Sequence, residues 1–134
     1  MSYRITGTGS CIPDIAKKNS DFLKNKFLDK DGGKFQSSNS EIIDKFNSIT
    51  GICERRYAPD EINCSDLAAV AAGLAINDSK LDQETLDYII VAHNTGDISC
   101  SSGQVDTLPS VASKVKAKLK IKNPNCVAYD IICG

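Results

Sequence analysis

Two short apolar runs constrain the fold of this chain more than any other feature. Tyr88–His93 and Cys126–Ile132 have the length of strands and are apolar almost throughout, which is typical of strands covered on both faces. The segment Ser113–Lys122 between them alternates lysine with apolar residues, a pattern that fits a strand or one face of a helix. Its Lys, Ala and Leu content and the proline at Pro109 favour the helix. Two strands joined through a helix predict parallel pairing.

The rest of the chain supplies further alternating elements. They are predicted, in chain order, as a strand at Tyr3–Thr8, a short amphipathic helix at Asn19–Leu28, a helix from Ser38 or Asn39 to Thr50–Gly51, an extended segment at Ile52–Tyr57 and a helix capped by Ser65. The stripe of that last helix expected to face the core is Leu67, Val70, Ala71, Leu74 and Ala75. The order predicts an α/β fold in which a mostly parallel mixed sheet carries helices on both faces.

The composition excludes several classes of protein. With 134 residues, 41% hydrophobic and 25% charged, the chain is expected to form one soluble domain. A net charge of −1 gives no attraction to nucleic acid or to an anionic membrane, and no apolar stretch approaches the roughly 20 residues that span a bilayer. Met1–Ile5 lacks a basic region followed by an apolar core, so we expect no signal peptide and a cytoplasmic location.

The six cysteines and the single histidine do not form a metal-binding pattern. The cysteines lie at positions 11, 53, 64, 100, 126 and 133, without a Cys-x-x-Cys pair. With only His93 to add, the spacing does not match a zinc site. In a reducing compartment such cysteines are expected to be small buried hydrophobic residues.

Six short motifs spaced along nearly the whole chain can be compared with known enzymes. They are Ile5–Pro13, Thr50–Arg56, Ser65–Ala68, Tyr88–Ala92, Leu108–Ser110 and Ala128–Ile131. In this order they resemble the β-ketoacyl-acyl-carrier-protein synthase III family. The resemblance implies the thiolase fold, which has two similar α/β halves, with residues 1–134 as a truncated N-terminal half-domain. It also implies an acyltransferase of fatty acid biosynthesis that forms a homodimer and needs no further cofactor. In that family a cysteine attacks an acyl-CoA starter, and the acyl-enzyme condenses with malonyl-acyl-carrier protein.

The same resemblance implies where the catalytic groups lie. The nucleophilic cysteine is expected directly after Gly134, and the family's catalytic histidine and asparagine belong to the second half, so this chain carries no catalytic residue. Cys133 is an alternative nucleophile if the register is shifted. His93 stands where the family usually has threonine, and we expect it to make only a local hydrogen bond at the end of its strand. Leu108 is expected to reach across the dimer and line the partner's acyl pocket. The chain alone is expected to be inactive.

Some residues depart from the family pattern and leave alternatives open. Lys45 and Ile49 stand where members often carry the tryptophan and arginine that bind the CoA adenine. The alternative enzymes are thiolase-fold acyltransferases of specialised lipid or polyketide synthesis, or enzymes with 3-hydroxy-3-methylglutaryl-CoA synthase-like chemistry. The alternative outside enzymes is a non-catalytic α/β module that binds an acyl or nucleotide ligand. The lysine row Lys114–Lys122 is expected to be a solvated face rather than a docking surface for the carrier protein.

Overall fold

The computed structural model describes residues 2–99 and 102–132, which divide into two compact units. The inserted unit is Pro13–Tyr57, and the main unit is Met1–Ile12 together with Ala58–Gly134. Each unit has its own helices and its own paired strands. The half-domain over residues 1–134 that the sequence indicates stays a prediction.

The main unit is built around a parallel pair of strands. Strand β3 (Tyr88–His93) pairs with β6 (Val127–Ile132), with Tyr88 opposite Val127 and His93 opposite Ile132. Helix α3 (Val111–Lys118) connects them and packs against both. The helix, the two strands and their parallel pairing are therefore as predicted. The helix ends four residues before Lys122, and Lys120 then takes a left-handed conformation with φ 58°.

The core of the main unit lies under α3. Val111, Ala112 and Val115 of the helix are at most 2% exposed, and Ile121 and Cys126 beyond its end are also buried. Each of the two valines contributes about 1.5–3 kcal/mol by leaving water. The buried thiol of Cys126 fits the prediction that the cysteines are small buried hydrophobic residues. That prediction is wrong for Cys53, which is exposed, and Cys11 and Cys64 are only partly buried.

The two faces of the β3–β6 pair differ in exposure. Ile89 and Val91 point to the side that α3 covers and are partly buried. On the other side Tyr88, Ile90 and Tyr129 are between 41% and 62% exposed. In the part of the chain that the structure describes, the side chains on this second face are therefore more exposed than those beside α3.

Helix α2 (Cys64–Ser79) begins earlier than predicted. Its cap is Asn63, whose backbone N–H donates to the carboxylate of Asp66 at 2.9 Å. Ser65 lies in the first turn, where it is 2% exposed, and is not the cap. The expected core stripe is also partly wrong, because Val70 and Leu74 are 52% and 48% exposed.

The N-terminal segment 2–12 contains no strand, so the predicted strand Tyr3–Thr8 is wrong. The segment lies against α2, and a Cβ atom at Gly9 would collide with the carbonyl of Ala71. The Thr8 N–H donates to Asp78 at 2.9 Å. A strand needs a neighbour for its backbone hydrogen bonds, and none of the described strands pairs with this segment.

The segment after β3 contains a small hairpin that the sequence did not predict. Strands β4 (Asp97–Ile98) and β5 (Val105–Asp106) pair antiparallel, with Asp97 opposite Asp106. Each strand is only two residues long and lies in a Gly/Ser-rich sequence, so the alternation of apolar and polar residues that usually indicates a strand is absent. A 3-10 turn at Gln83–Thr85 precedes β3.

The inserted unit combines an antiparallel strand pair with one helix. Strand β1 (Ile15–Lys18), which was not predicted, pairs with β2 (Glu54–Tyr57), which was. Helix α1 (Asn39–Thr50) is capped by Ser38 and ends at Gly51 with φ 66°, as predicted. The predicted helix at Asn19–Leu28 is only a 3-10 turn over Asn19–Phe22. Among the described residues no helix is long and apolar enough to cross a bilayer.

Candidate functional site at the carboxyl edge of β3 and β6

The carboxyl edge is the place where β3 and β6 end together, beside the start of α3 and the turn 94–97. The parallel register brings His93 and Ile132 to this edge side by side. Ligands of open α/β sheets bind outside the carboxyl ends of the strands. The polar side chains gathered here are therefore the first to consider as a functional site.

Asp130 is the central residue of the carboxyl edge. Its Oδ2 accepts the Val111 N–H at 2.8 Å and its Oδ1 accepts the Ala112 N–H at 2.7 Å. These are the first two residues of α3, whose N–H groups have no partner within the helix. The carboxylate thus holds the last strand against the start of the helix, where a negative charge is favourable.

His93 completes the hydrogen bonding of Asp130. Its Nε2 lies 3.0 Å from Asp130 Oδ2, and its Nδ1 accepts the Gly96 N–H at 2.9 Å. Because Nδ1 accepts, the ring proton of the neutral imidazole resides on Nε2 and is donated to the carboxylate. Both side chains are about 10% exposed. The local hydrogen bond expected for His93 is therefore present, and both of its nitrogens are occupied.

The environment of Asp130 favours its ionised form. Burial alone raises the pKa of Asp130, but the hydrogen bond from His93 and those from the Ala112 and Val111 N–H groups outweigh it. The pKa of this carboxyl therefore lies below its usual value. Asp130 is a structural anion at neutral pH and does not carry a proton to exchange.

A second buried carboxylate, Asp97, joins the hairpin to the two main helices. Its Oδ1 accepts the Ser65 N–H at 2.8 Å, and its Oδ2 lies 3.1 Å from Lys114 Nζ. The same ammonium group contacts Asp106 Oδ2 at 2.8 Å. Burial raises the pKa of Asp97, but the bonds from Ser65 and Lys114 outweigh it, so the net shift is downward. The acid and the lysine therefore remain a charged pair.

The thiol of Cys64 lies close enough to both carboxylates to be influenced by their charge. It is the first residue of α2 and is partly buried. Burial raises the pKa of the Cys64 thiol, and the negative charges of Asp97 and Asp130 raise it further. A nucleophilic cysteine requires the opposite shift, because the thiolate is the reactive form. Cys64 is therefore not an activated thiol.

The structure leaves the other predicted site residues untested. Cys133 and Gly134 lie outside the described residues, so the proposed start of the nucleophile turn is not described either. Leu108 is 84% exposed, between the hairpin and α3. Its expected contact with a partner's acyl pocket stays a prediction. No group of three or more His, Cys, Asp or Glu side chains in 2–99 and 102–132 is arranged to hold a metal ion.

The lysine row is not the plain solvated face that the sequence suggested. Lys114 pairs with Asp97 and Asp106, and Lys118 Nζ contacts Asp66 at 2.6 Å. Lys116 Nζ donates to two backbone carbonyls just before β6, at 2.8 and 2.7 Å. Three of these lysines therefore tie α3 to its neighbours, and their ammonium groups are already partnered.

The sequence contained a signal for one residue of the carboxyl edge but not for the others. Asp130 interrupts an apolar run, and a carboxylate in such a run must find buried donors. Asp97 and Lys114 belong to segments without a clear period, and their partnership depends on a hairpin that the sequence did not reveal.

Comparison with known proteins gives relatives over almost the whole chain, although no family model matches it. It is 34% identical over 131 residues to the beta-ketoacyl-acyl-carrier-protein synthase III 1 of Vibrio cholerae serotype O1, covering 98% of this chain and 34% of that protein. It is 36% identical over 132 residues to the beta-ketoacyl-acyl-carrier-protein synthase III of Clostridium acetobutylicum, covering 98% and 34%. The chain therefore spans about a third of the length of the curated relatives it matches.

The fold is likewise similar to that of solved structures. The crystal structure of 3-oxoacyl-acyl-carrier-protein synthase III from Aquifex aeolicus VF5 matches with a TM-score of 0.69 at 29% sequence identity. The match covers 98% of this chain and 35% of that one. The agreement extends across the segments that carry the carboxyl edge, since nearly the whole chain is included.

Proposed function

We propose that this chain, a relative of the β-ketoacyl-acyl-carrier-protein synthase III proteins with the thiolase fold, is the N-terminal part of a condensing enzyme. The whole enzyme joins an acyl-CoA starter to malonyl-acyl-carrier protein in fatty acid biosynthesis. The observation that carries the proposal is the identity of 34% over 98% of the chain with a named synthase of this kind. The homodimer and the cytoplasmic location expected from the sequence belong to the same proposal.

The chemistry assigned to the whole enzyme is covalent. The thiolate of a cysteine directly after Gly134 attacks the acyl-CoA carbonyl carbon, the new C–S bond forms and CoA leaves as its thiolate. Loss of CO2 from the malonyl group supplies the carbanion. That carbanion attacks the acyl-enzyme, releases the cysteine thiolate and gives a 3-oxoacyl-carrier protein. A thiolate suits this exchange because the acyl group passes between thioesters.

The carboxyl edge supports a positioning role for this chain. Asp130 fastens β6 to the start of α3 through two backbone N–H groups, a few residues before the proposed nucleophile. Both side chains of the His93–Asp130 pair are about 10% exposed, so water has little access to their hydrogen bonds. A nucleophile on the turn after β6 would thus follow a strand whose end is fixed, which favours a defined attack geometry.

The exposed apolar face of the β3–β6 pair also supports the proposal that this chain is part of a longer protein. Tyr88, Ile90, Tyr129 and Ile131 form an apolar patch on one face of the pair, where each is at least 41% exposed. Patches of this kind mark surfaces that another element or partner covers. The length of the relatives, about three times that of this chain, provides such an element.

Acylation mapping tests the proposal. The complete coding sequence is expressed, the protein is incubated with an acyl-CoA, and the acylated peptide is identified by mass spectrometry. We expect the acyl group on a cysteine directly after Gly134, and its transfer when malonyl-acyl-carrier protein is added. A Cys64→Ser variant is the control and keeps full labelling. Labelling confined to residues 1–134, or no labelling with any acyl-CoA, would contradict the proposal.

A further inference from the structure

The inserted unit contains a cavity that the proposed condensing chemistry does not use. Its volume is about 420 Å³, which is within the range of small-molecule sites. Its lining belongs entirely to Pro13–Tyr57 and includes three lysines and two phenylalanines, namely Lys24, Lys26, Lys34, Phe27 and Phe35. Among the residues that the structure describes, none with an acidic side chain lines it. The cavity thus combines positive charge with aromatic surface.

The acidic groups of the same loop are occupied elsewhere. Asp29 Oδ1 accepts the N–H groups of Asp31 and Gly33 at 2.9 and 2.8 Å. The Asp31 carboxylate pairs with Lys30 at 3.8 Å. Within the described residues Lys24, Lys26 and Lys34 make no ion pair, so their charges are not neutralised at the cavity. Like charges held around one cavity repel each other, and an anion between them removes that repulsion.

Hydrogen bonds hold the wall of the cavity in place. The Asn39 side chain, at the start of α1, donates to the carbonyls of Leu23 and Asn25 at 2.7 and 2.9 Å. Across the loop, Leu28 and Lys34 form an antiparallel bridge. The segment that carries the three lysines is therefore fixed at both ends, which lowers the entropy that a bound ligand must remove.

The two phenylalanines give the cavity an apolar side. Phe27 is partly buried and packs edge-on against Phe46, with ring centroids 6.0 Å apart. Phe35 is 49% exposed, so its ring is available to a ligand. We propose that this cavity binds a small organic phosphate, with the phosphate groups near the three lysines and a flat or apolar part against Phe35. Lysine ammonium groups act on phosphates as point charges and tolerate varied geometry.

Binding needs only residues of the inserted unit, so it can be tested separately from condensing activity. The 134-residue chain is titrated calorimetrically with ADP, with inorganic pyrophosphate and with adenosine. We expect ADP to bind more tightly than pyrophosphate, adenosine to bind weakest, and the ADP affinity to fall when salt is raised to about 0.5 M. Lys24→Gln, Lys26→Gln and Lys34→Gln should each weaken ADP binding about three- to tenfold.

Two comparisons decide whether the cavity itself is the site. Lys30→Gln is the matched control, because Lys30 belongs to the same loop but pairs with Asp31 and does not line the cavity. It should leave ADP binding unchanged, whereas Phe35→Ala should weaken binding of ADP but not of pyrophosphate. Thermal melting confirms that each variant is folded. Absence of ADP binding, equal binding of adenosine, or a loss in Lys30→Gln as large as in the cavity variants would overturn the proposal.

Discussion

Asp130 shows how one buried carboxylate can be tolerated in an apolar strand. An ionised group with little solvent is costly unless hydrogen bonds replace the water it loses. Here two backbone N–H groups and the imidazole of His93 provide that replacement. The residue therefore stabilises the junction of β6 with α3, provided that its donors stay in place.

Removing the charge of Asp130 tests this account. Asp130→Asn replaces an acceptor by an amide whose NH2 group faces donors, and we expect a loss of about 2 kcal/mol in the free energy of unfolding. Asp87→Asn, at an exposed aspartate just before β3, is the control and should change it by less than about 0.5 kcal/mol. Urea unfolding followed by circular dichroism measures both. Equal losses in the two variants would show that the hydrogen bonds of Asp130 do not contribute to the free energy of unfolding.

The pH dependence of stability follows from the same groups. Folding lowers the pKa values of Asp97 and Asp130 below the usual 3.8, so in acid the unfolded chain binds more protons than the folded one. Their contribution is complete above that usual pKa and is lost as the pH falls through the lowered values. Urea midpoints measured from pH 6 downward should therefore decrease below about pH 4. The decrease should be shallower in Asp130→Asn, and an identical slope would contradict the assignment.

The backbone of the N-terminal segment packs directly against helix α2, at a distance that leaves no room for a side chain. The N-terminal segment approaches it so closely that a Cβ at Gly9 has no room beside Ala71, while the Thr8 N–H reaches Asp78. At Gly73, inside the helix, an added Cβ would instead lie 3.6 Å from Leu119, an ordinary contact distance. Close packing therefore requires a glycine at position 9 but not at position 73.

Alanine substitutions separate these reasons. Gly9→Ala should destabilise the main unit by about 1–3 kcal/mol, because the segment must move away from α2. Gly73→Ala should stabilise it by up to about 1 kcal/mol, because alanine favours the helix and meets no clash. Thermal unfolding gives the sign of each change. Limited proteolysis near the N-terminus should be faster in Gly9→Ala only, and faster cleavage in both variants would contradict the close approach.

The 134-residue chain as an isolated molecule should reveal its apolar sheet face. The patch around Tyr88, Ile90 and Tyr129 is exposed to a degree unusual for core strands. A chain of this kind is expected to bind a hydrophobic dye such as ANS and to self-associate at high concentration. Tyr129→Lys, which places a charge on the patch, should reduce both properties.

The isolated chain should also be without condensing activity. Burial raises the pKa of the Cys64 thiol, and the proposed nucleophile follows Gly134. We expect no 3-oxoacyl product from acyl-CoA and malonyl-acyl-carrier protein, measured by mass spectrometry with the full-length protein as positive control. A thiol-reactive acyl probe should not label Cys133 faster than the other cysteines. Product formation by the pure chain would contradict the proposal that the nucleophile lies after Gly134.

Local patterns predicted the elements that local physics determines. The apolar runs of β3 and β6, the caps of α1 and the composition of α3 each specify their structure within a few residues, and their order predicts an α/β fold. The thiolase fold was implied instead by the resemblance to the synthase family, in agreement with the likeness to a solved synthase structure. Elements that depend on distant partners were missed or misjudged. Tyr3–Thr8 has strand-like residues but pairs with none of the described strands. Strands β4 and β5 are two residues each, and their link to α3 through Lys114 has no signature in the local sequence.

The way α3 begins has a consequence for any anion that approaches the carboxyl edge. Its first two N–H groups already hold Asp130, so the positive end of this helix is neutralised from within. These two N–H groups are therefore not free to donate hydrogen bonds to a thioester oxygen that becomes negative during a reaction. If the proposed function is correct, that oxygen is stabilised by donors other than these two N–H groups.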